Sequence, residues 1–469
     1  MCKFTNIFRI TFTLCAVSPN SQARGALSSD LEMLLEYHQN SLIGTAQTPT
    51  KTMVASARVA YLTNRGEVYG VDLKESFKMN METVRKRKRD IVSSFRSGNE
   101  SRLQKTENLD IFMGKARFVD SKRIEITMND TKKIKEITGD AIFINTGCRP
   151  AVLDLPGVNE IKVLDSTSIM ELDAVPAHLI VIGGGYIGVE FAQMFKRFGA
   201  NVTIVQRSKQ LLGQEDIDIA AEVKKILTED GIEIILDQKP LLVHQSTNGE
   251  VEVKVTLSGT CTRTIRGSHL LMAAGRSPNT DNLSPETAGV KLDSRGFIKV
   301  NEYLETNVPG ICALGDVKGG PQFTHISYDD FRIIRHNHIT FPTCVKLSTT
   351  DRLVPYTVFM DPQLGRVGLT EAEALKIYSK DEIKVAKMPM AFVARALEMD
   401  ESRGVMKAIV HVETKKILGG AILGIEGGEL MSMLQIAMMG GVTYDKLQDA
   451  VFAHPCLSES LNNLWGFLE

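Results

Sequence analysis

Three glycines sit in the run Gly183-Gly184-Gly185-Tyr186-Ile187-Gly188, which has the spacing G-x-G-x-x-G. That spacing suits a backbone cradle for a pyrophosphate. Gly183 permits a tight turn, Gly185 lets a phosphate approach the main chain, and Gly188 lets a helix pack closely on the preceding strand. A helix starting there aims its free N–H groups and the positive end of its dipole at the phosphates. The chemistry implied is the binding of a dinucleotide. An acidic residue at the end of the next strand would hold a free ribose 2′-hydroxyl, but this chain has Gln206, with Arg207 beside it and Lys209 close by. A neutral residue with a cation suits a 2′-phosphate, so NADPH is expected in preference to NADH.

The elements needed to position those glycines are all present. Leu179-Ile180-Val181-Ile182 is a continuous apolar run of the kind buried in a parallel sheet. Ile187, Phe191, Met194, Phe195 and Phe198 recur at helical spacing, Gly199 ends the helix, and Val202-Thr203-Ile204-Val205 reads as a second strand. A glycine fingerprint alone also occurs as a turn in unrelated α/β proteins. Here strand, fingerprint, helix and second strand arrive in order, and they predict a βαβ unit over residues 178–207.

Upstream, a helix is expected to start at Thr48-Pro49-Thr50, with Thr48 as N-cap and Met53, Ala57, Ala60 and Tyr61 on its apolar face. Residues 1–47 are poorly patterned, with a short helical stretch near Leu31–Tyr37. A basic run, Arg85-Lys86-Arg87-Lys88-Arg89, lacks interleaved aromatics and reads as a solvated helix face rather than a nucleic-acid patch. Strands are expected at 116–119, 123–127, 141–145, 356–359 and 365–369. Thr370-x-x-Glu373 is a capping box that opens a helix.

Composition sets the class. With 469 residues, 43% hydrophobic and 24% charged content and a net charge of −1, the chain has the make-up of a multidomain globular protein. That charge gives no basis for nucleic acid as a partner, and no apolar run approaches a membrane span. The apolar stretch Ile10–Val17 has two readings, a secretory signal or a first β-strand with a ragged leader. The seven cysteines (Cys2, Cys15, Cys148, Cys261, Cys312, Cys344 and Cys456) form no CxxC or CxxxxC pattern. Neither a disulfide framework nor a metal site is expected, and free thiols suit a reducing, cytoplasmic setting.

Several stretches together resemble the class I pyridine nucleotide-disulfide oxidoreductases, the family of glutathione reductase, dihydrolipoyl dehydrogenase and mercuric reductase, and most closely its mercuric-reductase-like flavoproteins. They are Pro49-Thr50-Lys51, Gly114-Lys115-Ala116-Arg117-Phe118, Asn145-Thr146-Gly147, the central Gly-Gly-Gly-Tyr-Ile-Gly-Val-Glu, Ala274-Gly275-Arg276-x-Pro278-Asn279, Ala313-Leu314-Gly315-Asp316 and His454-Pro455-Cys456-x-x-Glu459. They stand in family order from Thr48 to Glu469. The resemblance implies an α/β fold with two Rossmann-like dinucleotide-binding domains and a C-terminal α+β interface domain. The FAD domain would span 1–150 and 281–353, with 1–47 atypical. It would be split by an NAD(P) domain at 151–280 and followed by an interface domain at 354–469 in a homodimer.

The resemblance also implies site roles. Asp316 and Gly315 would bind FAD near its ribityl and pyrophosphate, Ala116 would lie by the adenine, and Thr146, Gly147, Gly275 and Arg276 would complete the cofactor sites. Lys51 and Glu190 would pair beside the flavin, where a cation favours the anionic reduced ring. His454, oriented by Glu459, would be the general acid/base at the partner chain's flavin, since an imidazole held by a carboxylate is a workable proton-transfer unit. Cys456 stands where the family has a threonine that would cap the final helix, and it is a poorer cap.

Three departures bear on function. The family's Cys-x-x-x-x-Cys pair falls on Leu42 and Gln47, and neither can form a thiolate. Before Gly44 the only glycine is Gly25, so no first fingerprint is available for the FAD pyrophosphate. The end, Trp465-Gly466-Phe467-Leu468-Glu469, lacks the cysteines with which mercuric reductases capture metal. Two functions follow. One is an NADPH-oxidising flavoenzyme that passes electrons directly to a small acceptor. The other is an inactive dimeric relative, kept as a scaffold or a damaged product, that binds the nicotinamide nucleotide with little or no FAD.

Overall fold

The computed structural model describes residues 4–7, 14–17, 47–72, 77–106, 109–256, 261–340 and 345–469. The expected helix near 31–37, position 42 and the glycines at 25 and 44 lie outside the described residues. The chain forms two compact units, each woven from three segments.

The first unit takes in Met1–Thr52, Lys86–Ala151 and Arg276–Arg352. Its larger sheet runs Ile311–Ala313, Ala141–Ile144, Leu14–Val17, Phe4–Ile7 and Leu109–Phe112. The strand Leu14–Val17 is antiparallel to both neighbours, while Ile311–Ala313 pairs parallel with Ala141–Ile144. A three-stranded antiparallel sheet, Gly114–Phe118, Arg123–Met128 and Ile134–Thr138, alternates buried and exposed residues along its first strand. That alternation sends Ala116 and Phe118 inward, into a core with Ile124, Ile126, Ile142, Ile144, Leu283 and Ile311.

The second unit takes in Met53–Arg85, Val152–Gly275 and Leu353–Glu469. A five-stranded parallel sheet runs Glu233–Ile235, Asn201–Val205, His178–Ile182, His269–Met272 and Val163–Leu164. The strand His178–Ile182 at its centre is the apolar run read from the sequence, and Leu179, Ile180 and Val181 are fully buried. The helix Tyr186–Phe198 follows it. It buries Phe191, Phe195 and Phe198, each worth roughly 1.5–3 kcal/mol when fully removed from water. Gly199 terminates the helix in the left-handed conformation at φ 110°, as its place after the apolar face predicted. A second sheet, antiparallel throughout, runs Tyr356–Val358, Gln363–Gly368, Ile417–Gly424, Val405–His411 and Ile383–Pro389. The helix Gly427–Met439 lies so close on it that a Cβ at Gly365 would come 2.3 Å from the Gly427 carbonyl. Thr370 and Glu373 form both arms of the expected capping box on the helix Glu371–Ile377.

Local differences have plain causes. The helix expected from Thr48 begins at Gln47 and ends at Asn64, and its Met53, Ala57 and Ala60 are buried as read. The basic run lies on the long helix Met81–Gln104, but it is not wholly a solvated face. Lys88 is only 4% exposed, and Arg85 is drawn to Asp173 and to the Glu171 carbonyl. A five-residue cationic run spans more than one helical turn, so one of its members must face inward. The described free cysteines are Cys148, Cys261, Cys312 and Cys456, and the described residues hold no metal-binding cluster. Among them no helix is long and apolar enough to cross a membrane.

Candidate functional site: the glycine fingerprint and the motifs around it

The fingerprint is built by close approaches that only glycine allows. Gly183 has φ 110°, and a Cβ there would stand 2.3 Å from the Ala273 carbonyl oxygen. A Cβ at Gly188 would stand 1.9 Å from the Gly183 carbonyl oxygen, so this residue lets the helix seat on its own turn. Gly185 is different. It is exposed, sits at the N-cap with φ −81°, and a Cβ there would meet nothing within 4 Å. No side chain caps the helix at that end, so its first N–H groups face the open side where a phosphate would lie.

Gln206 and Arg207 play different parts. The Gly184 N–H donates to Gln206 Oε1 at 3.1 Å, and Gln206 Nε2 donates to the Gln210 carbonyl at 3.3 Å. The glutamine therefore holds the glycine turn, a task its sequence position did not reveal. Arg207 and Lys209 are exposed at the end of the strand Asn201–Val205. Gly275, exposed with φ 135°, leads out of the second unit.

In the first unit the sequence-read residues gather around Asp316. Its carboxylate lies 3.0 Å from Arg276 Nη1. Burial pushes the Asp316 carboxyl above the usual carboxylate range, against the pull of Arg276 and Lys318. Gly315, at φ 69°, donates its N–H to buried Asp330, which is also held by Lys318 and Arg352. Asn145, Thr146 and Gly147 adjoin this turn. A Cβ at Gly315 would stand 2.6 Å from Asn145 Oδ1, and Asn279 donates to the Thr146 carbonyl at 2.9 Å. The Asn145 Oδ1 and Thr146 Oγ1 atoms are buried without a hydrogen-bond partner. Orphaned polar atoms of this kind beside a tight glycine turn fit a polyhydroxylated cofactor that would supply the missing bonds. Burial, together with the Asp316 charge, pushes the neighbouring Cys148 thiol up to about 12, so it is not a ready nucleophile.

The remaining residues are placed as follows. Ala116 is buried in its strand. Lys51 lies half-buried on the helix Gln47–Asn64. Glu190 is buried and accepts the Phe359 N–H at 2.8 Å. His454 is exposed, and its Nδ1 lies 2.9 and 3.2 Å from the two oxygens of Glu459. With the proton on Nδ1, that bond orients the ring and leaves the Nε2 lone pair for proton exchange. Cys456 makes no side-chain cap for the helical turn Leu457–Glu459, in line with its sequence reading.

Two clusters in the second unit escaped sequence reading. Around Tyr61, a cavity of about 560 Å³ is lined by Arg65, Arg197, Arg403, Asp230 and Glu401. Each arginine is already matched by a carboxylate, Arg197 by Asp361, Arg403 by Asp230 and Glu401, and Arg65 by Asp400. The other cluster begins in the fingerprint. The Tyr186 ring packs against Tyr356 in a tilted contact with centroids 5.3 Å apart, and the Tyr356 hydroxyl donates to Glu215. Arg366, only 2% exposed, lies directly across the strand pair from Tyr356. Neither cluster has a sequence signal, because their members lie far apart along the chain.

Known proteins agree with this geometry. The family described as pyridine nucleotide-disulphide oxidoreductase matches residues 30–330, and its dimerisation domain matches residues 354–464. The chain is 40% identical over 385 residues to a probable pyridine nucleotide-disulfide oxidoreductase, RclA, of Escherichia coli (strain K12), covering 82% of this chain and 84% of that one. It is 32% identical to a mercuric reductase of Staphylococcus aureus, over 88% of this chain and 73% of the relative. It is 30% identical to a dihydrolipoyl dehydrogenase of Bacillus subtilis (strain 168), over 95% and 94%. The solved structure of the HOCl-induced flavoprotein disulfide reductase RclA from Escherichia coli superposes with a TM-score of 0.79 at 37% identity, covering 90% of each chain. The chain belongs to the pyridine nucleotide-disulphide oxidoreductases, a family of FAD-dependent oxidoreductases that work with NAD(P)H.

Proposed function

We propose that the protein takes reducing equivalents from a nicotinamide nucleotide, NADPH in preference, into FAD and delivers them to a small acceptor without an internal cysteine disulfide. The observation that carries this reading is the fingerprint itself. Gly183 and Gly188 are fixed by backbone contacts, while Gly185 and an uncapped helix end face open space. In this reading Gly183, Gly185 and Gly188 seat the nucleotide pyrophosphate. Asn145, Thr146, Gly147, Gly315 and Asp316 hold FAD, with Ala116 by the adenine and Lys51 and Glu190 near the ring. FAD, when bound, accepts hydride and releases electrons. His454, held by Glu459, moves a proton at its Nε2. The dimerisation-domain match, with Ile436 and Met439 each 70% exposed on one helix, supports a homodimer that buries these side chains. We retain the division into an FAD domain (1–150 and 281–353), an NAD(P) domain (151–280) and an interface domain (354–469).

The absorption spectrum of the purified protein tests the reading. A flavin band that bleaches anaerobically on addition of NADPH is expected. A colourless protein that still binds NADPH would favour the second function, an inactive relative. The residues Leu42 and Gln47 in place of the cysteine pair, and the missing glycines before Gly44, support that alternative.

Arg207 gives a second test, on nucleotide choice. In this reading Arg207, exposed beside the strand end, meets the 2′-phosphate of NADPH. Arg207→Ala is expected to weaken NADPH about tenfold, the equivalent of one charge-assisted contact, and to leave NADH within twofold. Calorimetric titration with each nucleotide checks it. Equal losses for both would remove Arg207 from the 2′ site.

A further inference from the structure

Buried in the second unit, an arginine and a carboxylate face an unfinished arrangement. Arg366 is 2% exposed, and both its Nη1 and Nη2 are buried without a hydrogen-bond partner. Glu215 is 5% exposed; one of its oxygens accepts from the Tyr356 hydroxyl, and the other, Oε2, is buried without a partner. The two side chains are near enough for the arginine's charge to act on the carboxylate, yet no ion pair joins them. A buried guanidinium that lacks bonds is costly, so a second arrangement with Glu215 turned onto Arg366 lies close in energy. Tyr356 and Arg366 are cross-strand partners in the hairpin of Tyr356–Val358 and Gln363–Gly368, so one carboxylate can reach either.

That choice is felt at the fingerprint. The Tyr356 hydroxyl, which donates to Glu215, lies close enough to the Tyr186 hydroxyl to act on it, and the two rings pack in a tilted contact with centroids 5.3 Å apart. Tyr186 immediately follows Gly185, and its hydroxyl also meets Gln214 Oε1 at 3.3 Å. Glu215 closes the loop that holds the glycine turn, in which Gln206 bonds the Gly184 N–H and the Leu212 N–H bonds the Gly184 carbonyl. The carboxylate thus belongs to the nucleotide loop, and both of its possible partners belong to the hairpin.

We propose that Glu215 is a two-position switch. Bound to Tyr356 it fixes Tyr186 beside the nucleotide seat, and turned onto Arg366 it releases that ring. Tyr356, Glu215 and Arg366 are then positioning residues that set nicotinamide nucleotide affinity through Tyr186. The inference rests on the reading that a nucleotide binds at the fingerprint. No group is oxidised and no bond is made; the step is an exchange of hydrogen-bond partners between two discrete states.

Two measurements on the full-length protein separate this switch from the reading beneath it. The first is independent of nucleotide: a double-mutant cycle of Glu215→Gln and Arg366→Met, read as urea unfolding, run with Tyr356 present and again in Tyr356→Phe. Coupling between Glu215 and Arg366 is expected to be within twofold with Tyr356 present. It should rise to about tenfold in the folding equilibrium once the phenol is gone, the size of a charge-assisted bond. Equal coupling in both backgrounds would overturn the switch. The second is titration with NADPH. Tyr356→Phe should weaken it severalfold, and Arg366→Met, which removes the competing partner, should leave it equal or tighter. Equal weakening by both variants would mean that the cluster is merely structural, and the switch would fall. A wild-type protein that binds neither NADPH nor NADH would sink the nucleotide reading, while the unfolding cycle would still decide whether Glu215 changes partner.

Discussion

Gly188→Ala is expected to destroy nicotinamide nucleotide binding and to weaken the fold at the same time. The added Cβ would stand 1.9 Å from the Gly183 carbonyl oxygen and 3.0 Å from its carbon. Both are backbone atoms, so no side chain can swing aside. The helix Tyr186–Phe198 must lift away from the turn, and Phe191, Phe195 and Phe198 lose part of their packing. A forced shift of this kind costs about 1–3 kcal/mol or more in a well-packed core. The uncapped helix end would also be carried away from the phosphate seat, and NADPH affinity should fall roughly a hundredfold, about 2.7 kcal/mol. Gly185→Ala is the informative control. Its backbone is extended-compatible and a Cβ there meets nothing within 4 Å, so the fold should be untouched. The methyl group would instead occupy the space where the phosphate approaches. Calorimetry with NADPH alongside thermal unfolding should show both properties lost in the first variant and only binding lost in the second. If Gly185→Ala binds NADPH like the wild type, the phosphate does not sit where the open glycine faces.

That contrast also shows why this region was legible in the sequence. A fingerprint is a local object: strand, turn, helix and second strand follow one another within thirty residues, and each constraint acts between near neighbours. The apolar run at 179–182, the helix face on Phe191 and Phe195, the stop at Gly199 and the Thr370–Glu373 capping box are all local in this sense. The pairing of His454 with Glu459 came from the family resemblance, and it too is a local contact, since five residues separate them.

What stayed hidden is built from long separations. Arg366 reads as an ordinary strand residue, and only the hairpin register and the packing of the fingerprint loop bury it beside Glu215. Gln206 was read as a selector for the nucleotide, whereas its side chain is occupied in holding Gly184. The sequence could place it at the strand end but could not say which way its amide turned. Lys88 misled for the opposite reason. A run of five cations suggests a solvated face, but the helix turns 3.6 residues at a time and carries one of them inward.

Lys407→Met should be the most destabilising substitution in the second unit. Lys407 is 1% exposed, and its ammonium meets Asp216 at 3.1 Å, Asp218 at 3.0 Å and Glu371 at 2.6 Å. Burial opposes its charge, but the bonds to Glu371 and Asp218 and the charge of Asp216 outweigh this and hold its pKa above the ordinary lysine value. Asp216 does more than pair. It accepts the N–H groups of Glu371 and Ala372, so it fastens the start of the helix Glu371–Ile377 to the loop before Ile217–Glu229. Without the lysine, Asp216 is left buried among like charges. Breaking a buried pair from one side costs about 3–5 kcal/mol, which should appear as a lower urea midpoint. The pH dependence gives the sign. Asp218 works against burial, yet Lys387 and Lys407 hold its pKa below the usual carboxylate value. Its contribution is therefore present above the unfolded pKa and lost as pH falls through the folded one. The gap between wild type and variant should be widest near neutrality and should narrow in acid, where protonated carboxyls no longer repel. A gap that stays constant from neutral to acid pH would show that Lys407 acts through its packing alone, and that the carboxylates around it do not depend on its charge.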